Sequence, residues 1–143
     1  MKITQLSVFA ENKPGHIIGP CRVLAQAGLD IRALSLADAQ RFGILRIIVS
    51  DSLAATKVLE DAGFLVKATE VLAVEVPDLP GGLAKVLAAF EGTSINIEYM
   101  YAFPFGRSGK AVLIFRFDNP DAAIEKLQAV GLNVIAKSEL FGD

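Results

Sequence analysis

Residues 12–17 read Asn12-Lys13-Pro14-Gly15-His16-Ile17, and residues 78–83 read Asp78-Leu79-Pro80-Gly81-Gly82-Leu83. Each is a polar residue, a spacer, Pro-Gly and the start of an apolar periodic stretch. Pro80 lies 66 residues after Pro14. Self-similarity at a fixed spacing is the mark of an internal repeat. The same offset carries Ile17, Cys21 and Leu24 onto Leu83, Leu87 and Phe90. Those are i, i+4, i+7 positions, one face of a helix in each copy. It also carries Leu29-Asp30-Ile31 onto Ile95-Asn96-Ile97. Further on the offset is 68, taking Ala54-Ala55 onto Ala122-Ala123, Leu59 onto Leu127, Gly63 onto Gly131 and Val66 onto Val134. The two extra residues fall in the Gly-containing turn at 104–110, where added length costs little loop entropy.

Outward from the Pro-Gly loops, each copy reads in the same order. A strand precedes the loop, at 3–10 and about 71–76. A helix follows it, at 15–27 and 81–91. Two strands come next, at 30–37 and 43–50, then at 96–103 and 111–118, with turns at 38–42 and 104–110. Second helices start near Ser52 and Pro120. Asp51 and Asn119 are suited to cap them, and Pro120 suits a first helical position. Gly63 and Gly131 suit their C-terminal ends. A last strand follows each. Pro20 lacks an N–H and is expected to kink or delay the first helix.

The order β-α-β-β-α-β is the ferredoxin-like split βαβ arrangement. It predicts an α+β fold in two tandem units, residues 1–69 and 70–143. One unit of this size buries a small core. Two units joined side by side cover their vulnerable edges. The expectation is antiparallel sheets of about eight strands in all, with four helices on one face. The junction at 68–70 contains neither Pro nor Gly, so packed halves are expected rather than a flexible linker.

Composition narrows function. Hydrophobic residues make up 52% of 143 and charged residues 21%, enough for a core and too apolar for disorder. The net charge is −2 with no Lys/Arg block, which gives no footprint for nucleic acid. The apolar runs, such as 111–115, are far short of a membrane span, and the N-terminus shows no signal-peptide pattern. With one cysteine, Cys21, no intramolecular disulfide can form, and a reducing cytoplasm is the expected location.

Catalytic equipment is sparse. His16 is the sole histidine; it either touches a ligand in its loop or is a helix-start histidine facing solvent. Cys21 lies on the apolar helix face without a second histidine as a base, and reads as core. No Cys/His cluster has metal-ligand spacing. Neither Gly15-x₃-Gly19 nor Gly81-Gly82 matches a phosphate-binding glycine motif. Glu60-Asp61 and Glu11 read as a solvated face. No catalytic residue, metal or cofactor is expected. The Pro-Gly loops are the informative places. Each ends at a helix start, where unpaired N–H groups and the positive end of the dipole suit a carboxylate.

The segments Asn12-Lys13-Pro14-Gly15, Gly28-Leu29-Asp30-Ile31, Asp78-Leu79-Pro80-Gly81 and Thr93-Ser94-Ile95-Asn96-Ile97 resemble those of the ACT domain, an amino-acid-binding regulatory module of metabolic enzymes. The resemblance spans the chain as two units without an attached catalytic domain. It implies an amino-acid effector held between units, where the loop before the first helix of one faces the start of the second strand of its neighbour. The matching loop residue is Asn12 and the matching strand residue is Asn96, with Lys13, Pro14, Gly15, His16, Ile17 and Ile97 beside them. The opposite pair is Asp78 with Asp30, accompanied by Leu79, Pro80, Gly81, Gly82, Leu83 and Ile31.

Asn both donates and accepts, so it meets an ammonium and a carboxylate; two ionised Asp only accept. Two unequal sites are expected, the Asn12/Asn96 site being the better. The aromatic residues Tyr99, Tyr101 and Phe103 alternate onto one side of their strand, lining either a pocket, a dimer contact or the core. The reading is a non-enzymatic, allosteric amino-acid sensor, forming a homo-oligomer such as a dimer and acting on a metabolic enzyme or regulator. The alternative is an interaction scaffold without a ligand; an unrecognised enzyme is a third reading.

Overall fold

The computed structural model describes residues 1–11, 13–39, 41–107 and 109–141. The elements run β1 (Ile3–Glu11), α1 (Ile18–Gln26), β2 (Ile31–Ala39), β3 (Phe42–Val49), α2 (Ser52–Asp61), β4 (Leu65–Pro77), α3 (Gly82–Ala88), β5 (Ile97–Arg107), β6 (Lys110–Phe117), α4 (Pro120–Ala129), β7 (Val134–Ile135) and α5 (Lys137–Phe141). The chain divides into two compact units. One is Thr4–Thr69, the N-terminal unit. The other is Glu70–Asp143 with Met1–Ile3, the C-terminal unit.

The N-terminal sheet runs β2-β3-β1, with β4 as the other neighbour of β1. β1 and β3 are antiparallel with Leu6 opposite Ile47 and Glu11 opposite Phe42. β2 and β3 are antiparallel with Leu34 opposite Ile47. Leu6, Val8, Leu45, Ile47 and Val49 of the strands meet Leu24 of α1 and Ala55 and Leu59 of α2 in one core. Both helices therefore cover the same sheet face. In the C-terminal unit, β4 pairs with β6 and β6 with β5, all antiparallel, while the two-residue β7 lies on β4. Its core joins Leu72, Val74, Phe115 and Phe117 to Val86 and Phe90 of α3 and Ala123 and Leu127 of α4. Phe90 and Phe115 flank Phe117, with ring centroids 4.9 and 5.5 Å away.

The capping chemistry follows the sequence. Asp51 and Asn119 each accept a hydrogen bond from the backbone N–H three residues on, both at 3.1 Å. Pro120 opens α4, where its missing N–H has no helical partner to lose. Gly63 and Gly131 take φ of 92° and 78°. The N–H of Phe64 reaches back to the carbonyl of Leu59 at 3.0 Å, and that of Leu132 to Leu127 at 3.0 Å. These are the 6→1 bonds of the Schellman ending.

The α+β fold is the expected one, with three differences. First, the last strand of the N-terminal unit and the first of the C-terminal unit are one unbroken strand, β4. Among the described residues there are seven strands rather than about eight, with α5 as a short additional helix. Second, α1 begins at Ile18 and not at residue 15, which puts Pro20 in the first turn, where an N–H is dispensable. Third, β5 runs through Pro104 and Gly106 to Arg107. β5 is the outermost strand of its order, and an edge strand tolerates proline; the register shifts between Phe103 and Arg107.

Candidate functional site

The β1–α1 loop begins at Glu11, the last residue of β1. Asn12 lies outside the described residues. Lys13 Nζ is 2.6 Å from Glu11 Oε2, and the Lys13 N–H donates to the Glu11 carbonyl at 2.9 Å. Hydrogen bonding and charge from Lys13 hold the Glu11 carboxyl below the ordinary carboxylate range. Gly15 takes φ of 81°, a left-handed conformation that favours glycine. The His16 N–H closes the turn onto the Lys13 carbonyl at 3.3 Å. Pro14 is exposed and His16 half-buried. Ile17 is the N-cap of α1 and gives it no side-chain hydrogen bond.

The β4–α3 loop has the same plan with different residues. Asp78, Leu79 and Pro80 are exposed. The Asp78 N–H donates to the Gly109 carbonyl at 3.3 Å, and the Gly82 N–H to the Leu79 carbonyl at 3.0 Å. Gly81 caps α3 with φ of 87° and no side-chain bond. Gly82 is buried, and a Cβ built on it would meet the Pro77 carbonyl oxygen at 2.0 Å. That requirement was legible only as the doublet Gly81-Gly82. Leu83, expected on the core face with Leu87 and Phe90, is instead 36% exposed, and Val86 takes the buried position. α3 begins at Gly82, and its buried residues are Gly82 and Val86.

The strand residues sit at the other ends of the sheets. Asp30 is exposed just before β2 and Ile31 is half-buried against the core. Asn96 is exposed, its N–H donating to Asp118 Oδ1 at 2.9 Å while the Asp118 N–H returns to its carbonyl at 3.1 Å. Ile97 packs against the C-terminal core. In the N-terminal unit the loop lies at the Glu11–Phe42 end of the sheet, and β2 starts at the Ile31–Val49 end. In the C-terminal unit the loop lies by Pro77–Lys110 and Asn96 by Ile97–Phe117. Seven strand steps separate the ends in each, roughly 23 Å at ~3.3 Å per residue. Within each unit the loop end and the start of the strand after the first helix are therefore far apart.

Sequence reading missed an apolar corner beside the first loop. A Cβ built on buried Gly43 would lie 3.4 Å from Leu36 Cδ1 and 3.9 Å from Ile17 Cδ1. Leu36 is nonetheless 54% exposed. Its signal in the sequence was slight, since an exposed leucine on a strand reads as core. Of the aromatic series, Phe103 is buried and Tyr99 and Tyr101 half-buried, while Met100 on the alternate side is exposed. Cys21 packs against the N-terminal core and is a free thiol. Among the described residues no group of three or more His, Cys, Asp or Glu has metal-site geometry, and no helix is long and apolar enough to cross a membrane.

Comparison with known proteins places this geometry. The family model described as "ACT domain pair" matches residues 1–142. Among solved structures, protein BT0572 from Bacteroides thetaiotaomicron is similar at 40% identity, over 99% of this chain and 96% of that one, with a TM-score of 0.90. The regulatory subunits of aspartate kinase from Thermus flavus and Thermus thermophilus share the fold at 18% and 16% identity. The first match covers 89% of both chains with a TM-score of 0.61; the second covers 90% of this chain and 91% of that one with 0.58. A search of the curated proteins finds no match. With both loops, both capped second helices and the match from residue 1 to 142, the chain belongs to the ACT domain pair family.

Proposed function

We propose that this protein is a regulatory module that binds a free amino acid and has no catalytic activity of its own. The observation that carries this reading is the contrast between its helix starts. α2 and α4 are capped by Asp51 and Asn119, whereas α1 and α3, the two that follow the Pro-Gly loops, have no side-chain cap. A helix start without a cap complements a carboxylate. α1, with nine residues against seven in α3, offers the longer dipole. The aspartate kinase proteins that share the fold are regulatory subunits, which supports regulation over catalysis.

The better site combines Asn12 and the α1 start with Asn96. The Asp78/Asp30 pair forms a second, poorer amino-acid site, because two carboxylates repel the effector's own. The edge of β2 supports a homo-oligomer: among the described residues its strand partner is β3 alone, and Leu34 is 56% exposed on it. A long apolar edge strand invites pairing with a second copy. The cytoplasm suits the free thiol of Cys21, and a metabolic enzyme or regulator is the proposed partner.

A thermal-shift screen of the common amino acids tests the reading. An effector at a hundred times its Kd adds about 2.7 kcal/mol, an increase in Tm that Asn12→Ala or Asn96→Ala abolishes. No shift with any amino acid sinks the sensor and favours a ligand-free scaffold.

A further inference from the structure

β2 is the outermost strand of the N-terminal sheet. Its middle, Ala33-Leu34-Ser35-Leu36-Ala37, reads the same in both directions. Leu34 lies opposite Ile47 and Leu36 opposite Leu45. Both partners belong to the core shared with α1 and α2, so the two leucines lie on the helix-covered face. They are nonetheless 56% and 54% exposed. Ala33, Ser35 and Ala37 alternate onto the other face, where Ala33 is buried and the other two are half-buried. Proline, charge and bulges are what keep an edge strand from pairing. The five residues include neither proline nor charge, and the register shift of β2 falls at its near end, between Ile31 and Ala33. β5, the matching strand of the C-terminal unit, is a different edge. The repeat offset of 66 puts Met100 and Ala102 where Leu34 and Leu36 stand. Its start carries Glu98, paired with Arg116 at 3.0 Å. Its course holds Pro104 and a register shift between Phe103 and Arg107, features that discourage pairing.

We propose that the protein forms a closed dimer in which β2 pairs antiparallel with β2 of a second copy, centred on Ser35. This rests on the homo-oligomer reading above and gives it a surface, a register and a stoichiometry. A two-fold axis sets each residue of an antiparallel pair opposite its mirror about the centre. Centred on Ser35, Leu34 of each copy meets Leu36 of the other, and Ala33 meets Ala37. The palindrome thus makes the strand complementary to itself. Four leucines leave water together on the helix-covered face, and the outward backbone groups of β2 gain partners. Moving the centre to either leucine sets the other opposite a residue outside the palindrome, and a half-step shift sets leucine against serine. Each chain then has one adhesive edge, consumed by its own copy, so assembly stops at two. A second open edge would let it continue as a filament.

Sedimentation equilibrium of the intact chain over a dilution series tests this. Monomer and dimer are the expected species. Leu34→Lys, at an exposed position, weakens the dimer about tenfold or more. Met100→Lys, at the matching exposed position of β5, leaves it unchanged. Register is read by cross-linking in a Cys21→Ala background. Under mild oxidation Ser35→Cys gives a disulfide-linked dimer, because opposite Cα atoms of an antiparallel pair lie about 4.5–5.5 Å apart. Ala37→Cys does not, since residue 37 stands four positions from its own copy, roughly 13 Å away. A chain that stays monomeric at every concentration sinks the homo-oligomer reading and this inference together. A dimer indifferent to Leu34→Lys, or one that Met100→Lys dissociates, leaves the homo-oligomer standing and overturns its placement on β2. Cross-linking through Ala37→Cys and not Ser35→Cys overturns the register, and growth beyond two copies overturns the closure.

Discussion

At Gly82 the backbone leaves no room for a side chain, because the Pro77 carbonyl oxygen occupies the place of a Cβ. Gly81, next to it, is constrained differently: its φ is positive but nothing lies within 4 Å of a built Cβ. The two glycines therefore respond differently to substitution. Gly82→Ala forces backbone to move and destabilises by about 1–3 kcal/mol. Gly81→Asn, which tolerates the left-handed region, costs less than about 1 kcal/mol. Denaturant midpoints of the two variants show this order. Glu11 gives a pH prediction at the same scale. Its folded carboxyl titrates below the ordinary range because of Lys13. The pair's contribution is thus present above the unfolded value and lost as pH falls through the folded one. Lys13→Met returns the Glu11 titration, followed by NMR, to the ordinary carboxylate range; an unchanged titration contradicts the pairing. Both groups are exposed, so global stability at neutral pH hardly moves.

The helices that close each unit were the most legible elements. Asp51, Asn119, Gly63 and Gly131 act through bonds within one turn of the chain, and local chemistry is what a sequence displays. Replacing Asp51 or Asn119 by Ala costs about 1 kcal/mol in each case, readable as a drop in Tm. The misread elements are those decided by neighbours distant in sequence. β4 reads as two strands until its partners are known: Leu72 to Pro77 pair with β6, while β1 neighbours it too. β5 continues through Pro104 because it is an edge strand, which its own residues do not reveal. Spacing alone puts Leu83 in the core, whereas in the folded chain Gly82 packs tightly against Pro77 and Val86 is the buried residue of the next turn. Core packing supplies a further prediction. Phe115 is fully buried and stacks on Phe117; Phe115→Ala lowers stability by about 3–5 kcal/mol, measured by equilibrium unfolding.

For the whole molecule, duplication produced two units of one plan and then unequal ends. The N-terminal loop end carries the longer uncapped helix, a self-matched Glu11–Lys13 pair and an apolar corner. The C-terminal loop end carries Asp78 and the Glu75–Lys110 pair, 3.8 Å apart. The inequality of Asn12 and Asp78 was legible in the sequence. The apolar corner was not, because Leu36, Gly43 and Ile17 come from three different elements. Regulation by a small molecule requires only that it bind one state of the protein better than another, and a single preferred site meets that requirement. The most direct test is an NMR titration of the intact, isotope-labelled chain with each common amino acid. The expected result is one saturable ligand whose amide shifts cluster at residues 11–18 and 95–98, giving a single Kd from both clusters. Shifts confined to residues 29–31 and 78–83, or none with any amino acid, would contradict the assignment of Asn12 and Asn96 to the effector.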